Sequence, residues 1–98
     1  MVRNNRPVPA KPTRDERKAI VALVERYLAP HQPKNYRLVV KSRGLEKRDD
    51  CWYVVVEPSD PDAKSYDFVG RMVEAEQDLS EHEKVEVLLV PVMPPEDD

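Results

Sequence analysis

Cys51-Trp52-Tyr53-Val54-Val55-Val56-Glu57-Pro58 is the stretch on which the fold turns. Aromatic and β-branched residues fit a pleated, half-buried surface, and Pro58 cannot donate a ladder hydrogen bond, so a strand is expected from Cys51 to about Glu57. Because side chains alternate between the faces of a strand, Trp52, Val54 and Val56 share one side, while Tyr53 and Val55 share the other.

Working back from this run, Tyr36 to Arg43 has the same composition and is expected to be a second strand. The link Gly44–Asp50 then reads as a hairpin loop of seven residues. Alternation places Tyr36, Leu38 and Val40 on one face and Arg37, Val39, Lys41 and Arg43 on the other. Further upstream, Thr13 and Glu16 have the capping-box spacing. Behind them Ile20, Leu23, Val24, Tyr27 and Leu28 recur at three- and four-residue steps, which predicts an amphipathic helix from Thr13 to Ala29, ended by Pro30 and Pro33.

Working forward, Ser59-Asp60-Pro61-Asp62 reads as a helix start, with Asp60 as cap and Pro61 in the first helical position. A helix to about Leu79 is expected to turn Tyr66, Val69, Met72, Val73 and Leu79 inward. Gly70 inside it costs about 1 kcal/mol relative to alanine, and close packing on the sheet is the expected compensation. Val85 to Val92, with its apolar run Val87-Leu88-Leu89-Val90, is expected to be the last strand, placed centrally or against the first.

The order α-β-β-α-β defines an α+β two-layer sandwich, with two helices on one face of a small three-stranded sheet. At 98 residues a single domain over 13–93 is expected. A basic, proline-rich flexible arm (1–12) precedes it and an acidic tail (94–98) follows. No apolar run approaches the length of a membrane span, and Met1-Val2-Arg3-Asn4-Asn5-Arg6-Pro7 lacks the apolar stretch of a signal peptide. Cys51 is the only cysteine, so no internal disulfide and no thiolate metal cluster can form, and a cytoplasmic setting is expected.

The catalytic readings are weak. Asp49, Asp50 and Glu57 lack the lysine that would steady an attacking water, so a solvated loop and strand end are the better reading. Cys51 with His31 or His82 has no nucleophile–base spacing. A lone metal at His82 and Glu83 has too few ligands in sequence. Trp52, Tyr53, Tyr66, Met72 and Met93 read as core or gap filling rather than a ligand pocket. No enzymatic role, cofactor, metal or small-molecule ligand is expected.

The charge distribution is the sharper signal. Up to Arg48 the chain has thirteen Lys or Arg against four Asp or Glu; from Asp49 onward it has three against fifteen, which together give the net −3. Such asymmetry points to a charged partner or to self-pairing. Two helices cover only one face of three strands, so the other is expected to stay open. The candidate interface is Arg37, Val39, Lys41, Arg43, Lys47, Arg48, Tyr53 and Val55, with Leu88 and Val90 on the same open side. A protein partner or a second copy of the chain is the expected occupant, and nucleic acid, held by the basic N-terminal half, is the alternative.

The element order resembles the type II KH arrangement, and also a ferredoxin-like unit without its first strand. The glycine pair that clamps nucleic-acid backbone in KH modules has no counterpart, since the only glycines are Gly44 and Gly70, and the pI of about 5.4 opposes phosphate binding. No site residue is carried over from that resemblance.

Overall fold

A computed structural model describes residues 12–93. The order of elements is α1 (Arg14–Leu28), a 3₁₀ turn (Ala29–His31), β1 (Leu38–Arg48), β2 (Cys51–Pro58), α2 (Ser65–His82) and β3 (Glu86–Pro91). The protein is thus mixed α+β, with two helices and a three-stranded sheet in the order α-β-β-α-β. The expected tail, and the expected arm apart from Pro12, lie outside the described residues.

α1 begins as its sequence dictates. The Glu16 amide donates to Thr13 Oγ1 at 3.1 Å, and the Thr13 amide donates to Glu16 Oε1 at 2.9 Å, so two otherwise orphaned donors are satisfied reciprocally. The bond to the Thr13 backbone also holds the Glu16 carboxyl below its usual range. Ile20, Val24 and Leu28 are buried, and Leu23 and Tyr27 pack half-buried beside them.

The strand order is β1-β2-β3, with β1 antiparallel and β3 parallel to β2. The central strand is therefore β2, and β3 lies at an edge instead of centrally or against β1. A right-handed crossover through α2 is the ordinary way to bring β3 parallel to β2. The hairpin also differs from expectation. β1 runs on to Arg48, and the turn is only Asp49-Asp50, both in the left-handed region (φ 49° and 70°), as a two-residue primed turn requires. The extra residues are taken up by a bulge between Lys41 and Glu46. Gly44 lies in this bulge at φ 81°, and a Cβ there would come within 3.3 Å of Val55 Cγ2.

α2 starts four residues later than the sequence predicts. Asp60 caps a local turn instead, its Oδ1 accepting from the Asp62 amide at 2.9 Å and its carbonyl from the Ala63 amide at 3.0 Å. The inward face also differs from expectation: Phe68, Met72, Ala75 and Leu79 are buried, whereas Tyr66 and Val73 are exposed, at 81% and 45%. Gly70 is exposed as well, and a Cβ on it would meet nothing within 4 Å, so close packing on the sheet is not what keeps it a glycine.

The buried residues form one cluster. Ile20, Val24 and Leu28 of α1, and Phe68, Met72, Ala75 and Leu79 of α2, close over Leu38, Leu45, Trp52, Val54, Val56, Val87 and Leu89 of the sheet. Three polar ties hold the connection from Ala29 to Arg37 against α2. His31 Nε2 is 2.9 Å from Asp78 Oδ2, the Arg71 guanidinium donates to the His31 carbonyl at 3.0 Å, and the Tyr36 hydroxyl donates to Asp67 Oδ2 at 2.6 Å.

Candidate protein-binding face

The helices cover one side of the sheet and leave the other uncovered. Along β2 the burial alternates: Trp52, Val54, Val56 and Pro58 are buried, while Cys51, Tyr53, Val55 and Glu57 are only partly so. The register extends this division to the flanking strands. Val39 pairs with Glu57 and Lys41 with Val55 on one side, while Leu88 and Val90 pair with Tyr53 and Val55 on the other. Val39, Tyr53, Val55, Leu88 and Val90 therefore lie on one face, and Val39 and Leu88 are 37% and 41% exposed.

The expected interface residues are divided by the structure. Val39, Lys41, Arg48, Tyr53 and Val55 come together on the open face. Arg37 lies at its rim, where its amide donates to Ser59 Oγ and its carbonyl accepts from the Ser59 amide, continuing the alternation one position beyond β1. Arg43 does not share that alternation, because it falls in the bulge, where the two-residue period is broken. Lys47 pairs with Trp52 on the helix-covered side, its ammonium 5.4 Å from the indole centroid.

Two of the cations that remain, Lys41 and Arg48, are partnered within the face, whereas Arg37 at the rim is bonded only through its backbone among the described residues. Lys41 Nζ lies 3.7 Å from Glu57 Oε1. Arg48 Nε donates to Glu46 Oε1 at 2.9 Å, and its guanidinium carbon is 5.5 Å from the Tyr53 ring centroid. The face expected to be cationic and half-apolar carries an aliphatic strip edged by two ion pairs, with Arg37 at its rim. Exposed pairs of this kind stabilise by roughly 1 kcal/mol or less, so their main effect is to cancel the field a phosphate would feel.

Both edges of the sheet carry side-chain guards that the sequence did not reveal. The Gln32 amide brackets Leu38, accepting from its backbone N–H at 2.8 Å and donating to its carbonyl at 3.0 Å, as a paired strand would. Arg17 donates to the Ser42 carbonyl at 3.2 Å. On β3, Glu76 Oε1 accepts from the Leu89 amide at 2.8 Å, and Pro91 has no amide to offer. These contacts occupy backbone groups that an added strand would need.

A groove of about 560 Å³ runs beside β3, lined by Glu76, Ser80 and Glu81 of α2 and by Cys51, Glu86 and Leu88. Burial, followed by the nearby Glu86 carboxylate, raises the pKa of the Cys51 thiol, the reverse of what an activated nucleophile needs. No histidine lines the groove: His31 is engaged with Asp78, and His82 Nδ1 lies 2.8 Å from the Asp78 carbonyl. Among the described residues there is no group of three or more His, Cys, Asp or Glu placed to hold a metal, and no helix long and apolar enough to cross a membrane.

No protein-family model, curated protein or solved structure matches this chain.

Proposed function

We propose that this protein is a small, non-enzymatic, cytoplasmic module that binds a protein surface, either a second copy of itself or another chain, through the open face of its sheet. The observation that carries this reading is the contiguous aliphatic strip Val39–Val55–Val90 with Tyr53 and Leu88 beside it, on a face no element of the described chain covers. Contiguous exposed apolar surface on a small domain is a mark of interaction sites. The guarded edges favour face-on docking over strand addition. The pairing of Lys41 and Arg48 with carboxylates favours a protein over a nucleic acid. The lone cysteine fits a reducing compartment.

Size sets the strength of this association. Three strands about 4.8 Å apart and six residues long present roughly 300 Å² in plan, well under the ~800 Å² per partner of a standard interface. The contact is therefore weak and reversible unless the partner also reaches the sheet's rim. Replacing Val55 and Leu88 by aspartate tests this reading. Association measured by sedimentation, or by capture of partners on immobilised protein, is expected to fall at least tenfold while the circular dichroism spectrum is unchanged. Undiminished association in the doubly substituted protein, or association abolished by nuclease, rules the reading out. The second result returns the nucleic-acid alternative.

A further inference from the structure

Gly70 poses a question that the fold of this chain does not answer. A glycine inside a helix costs about 1 kcal/mol relative to alanine, and is normally kept where another group comes too close for a Cβ. Here the Cβ position opens onto empty space, with nothing within 4 Å. At 3.6 residues per turn, Gly70 stands roughly 170° around the helix from the mean direction of Phe68, Met72, Ala75 and Leu79, so it occupies the outermost line of α2.

The neighbours of Gly70 on that line mix two exposed apolar side chains with exposed polar ones, Gln77 among them. Tyr66, one turn before, is 81% exposed, and Val73, one turn after, is 45% exposed. Glu74 and Glu81 are exposed on the same side and have no hydrogen bond or ion pair among the described residues. The other α2 carboxylates are engaged inward or sideways: Asp67 with Tyr36 and Arg71, Glu76 with the Leu89 amide, and Asp78 with His31. The result is a notch at Gly70 between two exposed apolar side chains, Tyr66 and Val73, with the unpaired carboxylates of Glu74 and Glu81 beside it.

We propose that the outer face of α2, from Tyr66 through Gly70 to Val73, is a docking site for a cationic amphipathic helix of a partner protein, whose backbone closes on Gly70. The spacing of i, i+4 and i+7 matches a helix laid along a helix, and a glycine at the crossing lets two axes approach inside the usual ~8–10 Å. Charge decides the occupant. A second copy of α2 would bring its five Asp and Glu and single Arg against an identical set, and like charges repel, whereas lysines flanking a partner's apolar stripe meet Glu74 and Glu81. This site stands apart from the open sheet face, which lies on the far side of the sheet from α2, and either can fail without the other.

The test uses the full chain and a dye-labelled synthetic helix of leucine and lysine in amphipathic register, read by fluorescence anisotropy. A scrambled peptide of the same composition and a leucine–glutamate counterpart serve as controls. Only the amphipathic cationic peptide is expected to bind. Gly70→Leu is expected to weaken it at least tenfold and Tyr66→Ala about threefold. Leucine is a better helix former than glycine, so lost binding in Gly70→Leu is not lost structure. Gly70→Ala is expected to raise Tm by roughly 4–8 °C while weakening the peptide, an opposition of sign that a purely structural glycine would not produce. Equal binding to wild type and Gly70→Leu overturns the proposal, as does equal binding of the scrambled peptide. Self-association that disappears in Gly70→Leu also overturns it, since it would place a second copy on this face.

Discussion

Val54 and Val55 are adjacent residues of one type in one strand, yet they stand in two environments. Val54 is fully buried under the helices, whereas Val55 is only partly buried, beside Lys41 and Val90 on the uncovered face. A strand places successive side chains on opposite faces, so the whole sheet inherits this division. The covered face carries the fold; the uncovered face is free to carry recognition. The same residue type at neighbouring positions thus answers to stability in one case and, in the proposed function, to a partner in the other.

The sharpest way to break this comparison is to place the same charge at both positions. Val54→Asp buries an unpaired carboxylate in the core and is expected to abolish the folded state, costing at least about 4 kcal/mol. Val55→Asp is expected to leave the thermal transition within about 1 kcal/mol of wild type and to act on association alone. Thermal melts followed by circular dichroism separate the two outcomes, and equal destabilisation by both would mean that the open face is not open.

A smaller effect is expected where the faces meet the hairpin. Gly44 lies at φ 81° with its missing Cβ pointed at Val55, so Gly44→Val is strained in backbone and side chain together. A loss of about 1–3 kcal/mol in denaturant unfolding is expected. An unchanged midpoint would show that the bulge is not held in that conformation.

Smaller again is the tie between Tyr36 and α2. Tyr36→Phe removes the bond to Asp67 and is expected to cost about 1 kcal/mol near neutral pH. Burial, then the bond to Asp67, pushes the Tyr36 hydroxyl up from its ordinary 10.0 to about 12. A folded value above the unfolded one gives stability that is fully present below pH 10.0 and is lost as pH rises toward about 12. The Asp67 carboxyl is shifted the other way, below 3.8, first by the Tyr36 hydroxyl and then by Arg71. Its contribution is present above that pH and is lost as pH falls through the folded value. A series of melts against pH should show Tyr36→Phe flattening the alkaline limb, and Asp67→Asn flattening the acid limb.

The smallest expected effect is at the β3 edge. Glu76→Ala exposes the Leu89 amide and is expected to change stability by under about 1 kcal/mol, but to raise the rate of aggregation seen by light scattering.

Much of this architecture was legible in the sequence because it rests on local rules. The capping box fixed the start of α1, the three- and four-residue steps fixed its buried face, and strict alternation in β2 separated Val54 from Val55. What was misread depended on contacts distant in the chain. The extent of β1 was hidden because a bulge at Ser42–Leu45 interrupts the alternation, and two aspartates in left-handed conformation replaced the expected seven-residue loop. Asp60-Pro61 resembles a helix start but forms a separate turn, and the buried face of α2 follows the spacing of Phe68, Met72, Ala75 and Leu79, which leaves the expected inward Tyr66 and Val73 outside. Of the candidate interface, the aliphatic members Val39 and Val55 could be placed by period alone. The fate of the cations depended on partners such as Glu46 and Glu57, which only the register brings close.

The most direct measurement compares wild type with Val55→Asp/Leu88→Asp as immobilised bait in native lysate, each with and without nuclease, after both are shown to melt alike. The open-face account predicts a protein, or a second copy of this chain, that wild type retains after nuclease treatment and the substituted bait loses. The same protein retained equally by both baits, or retention that vanishes with nuclease, would contradict it.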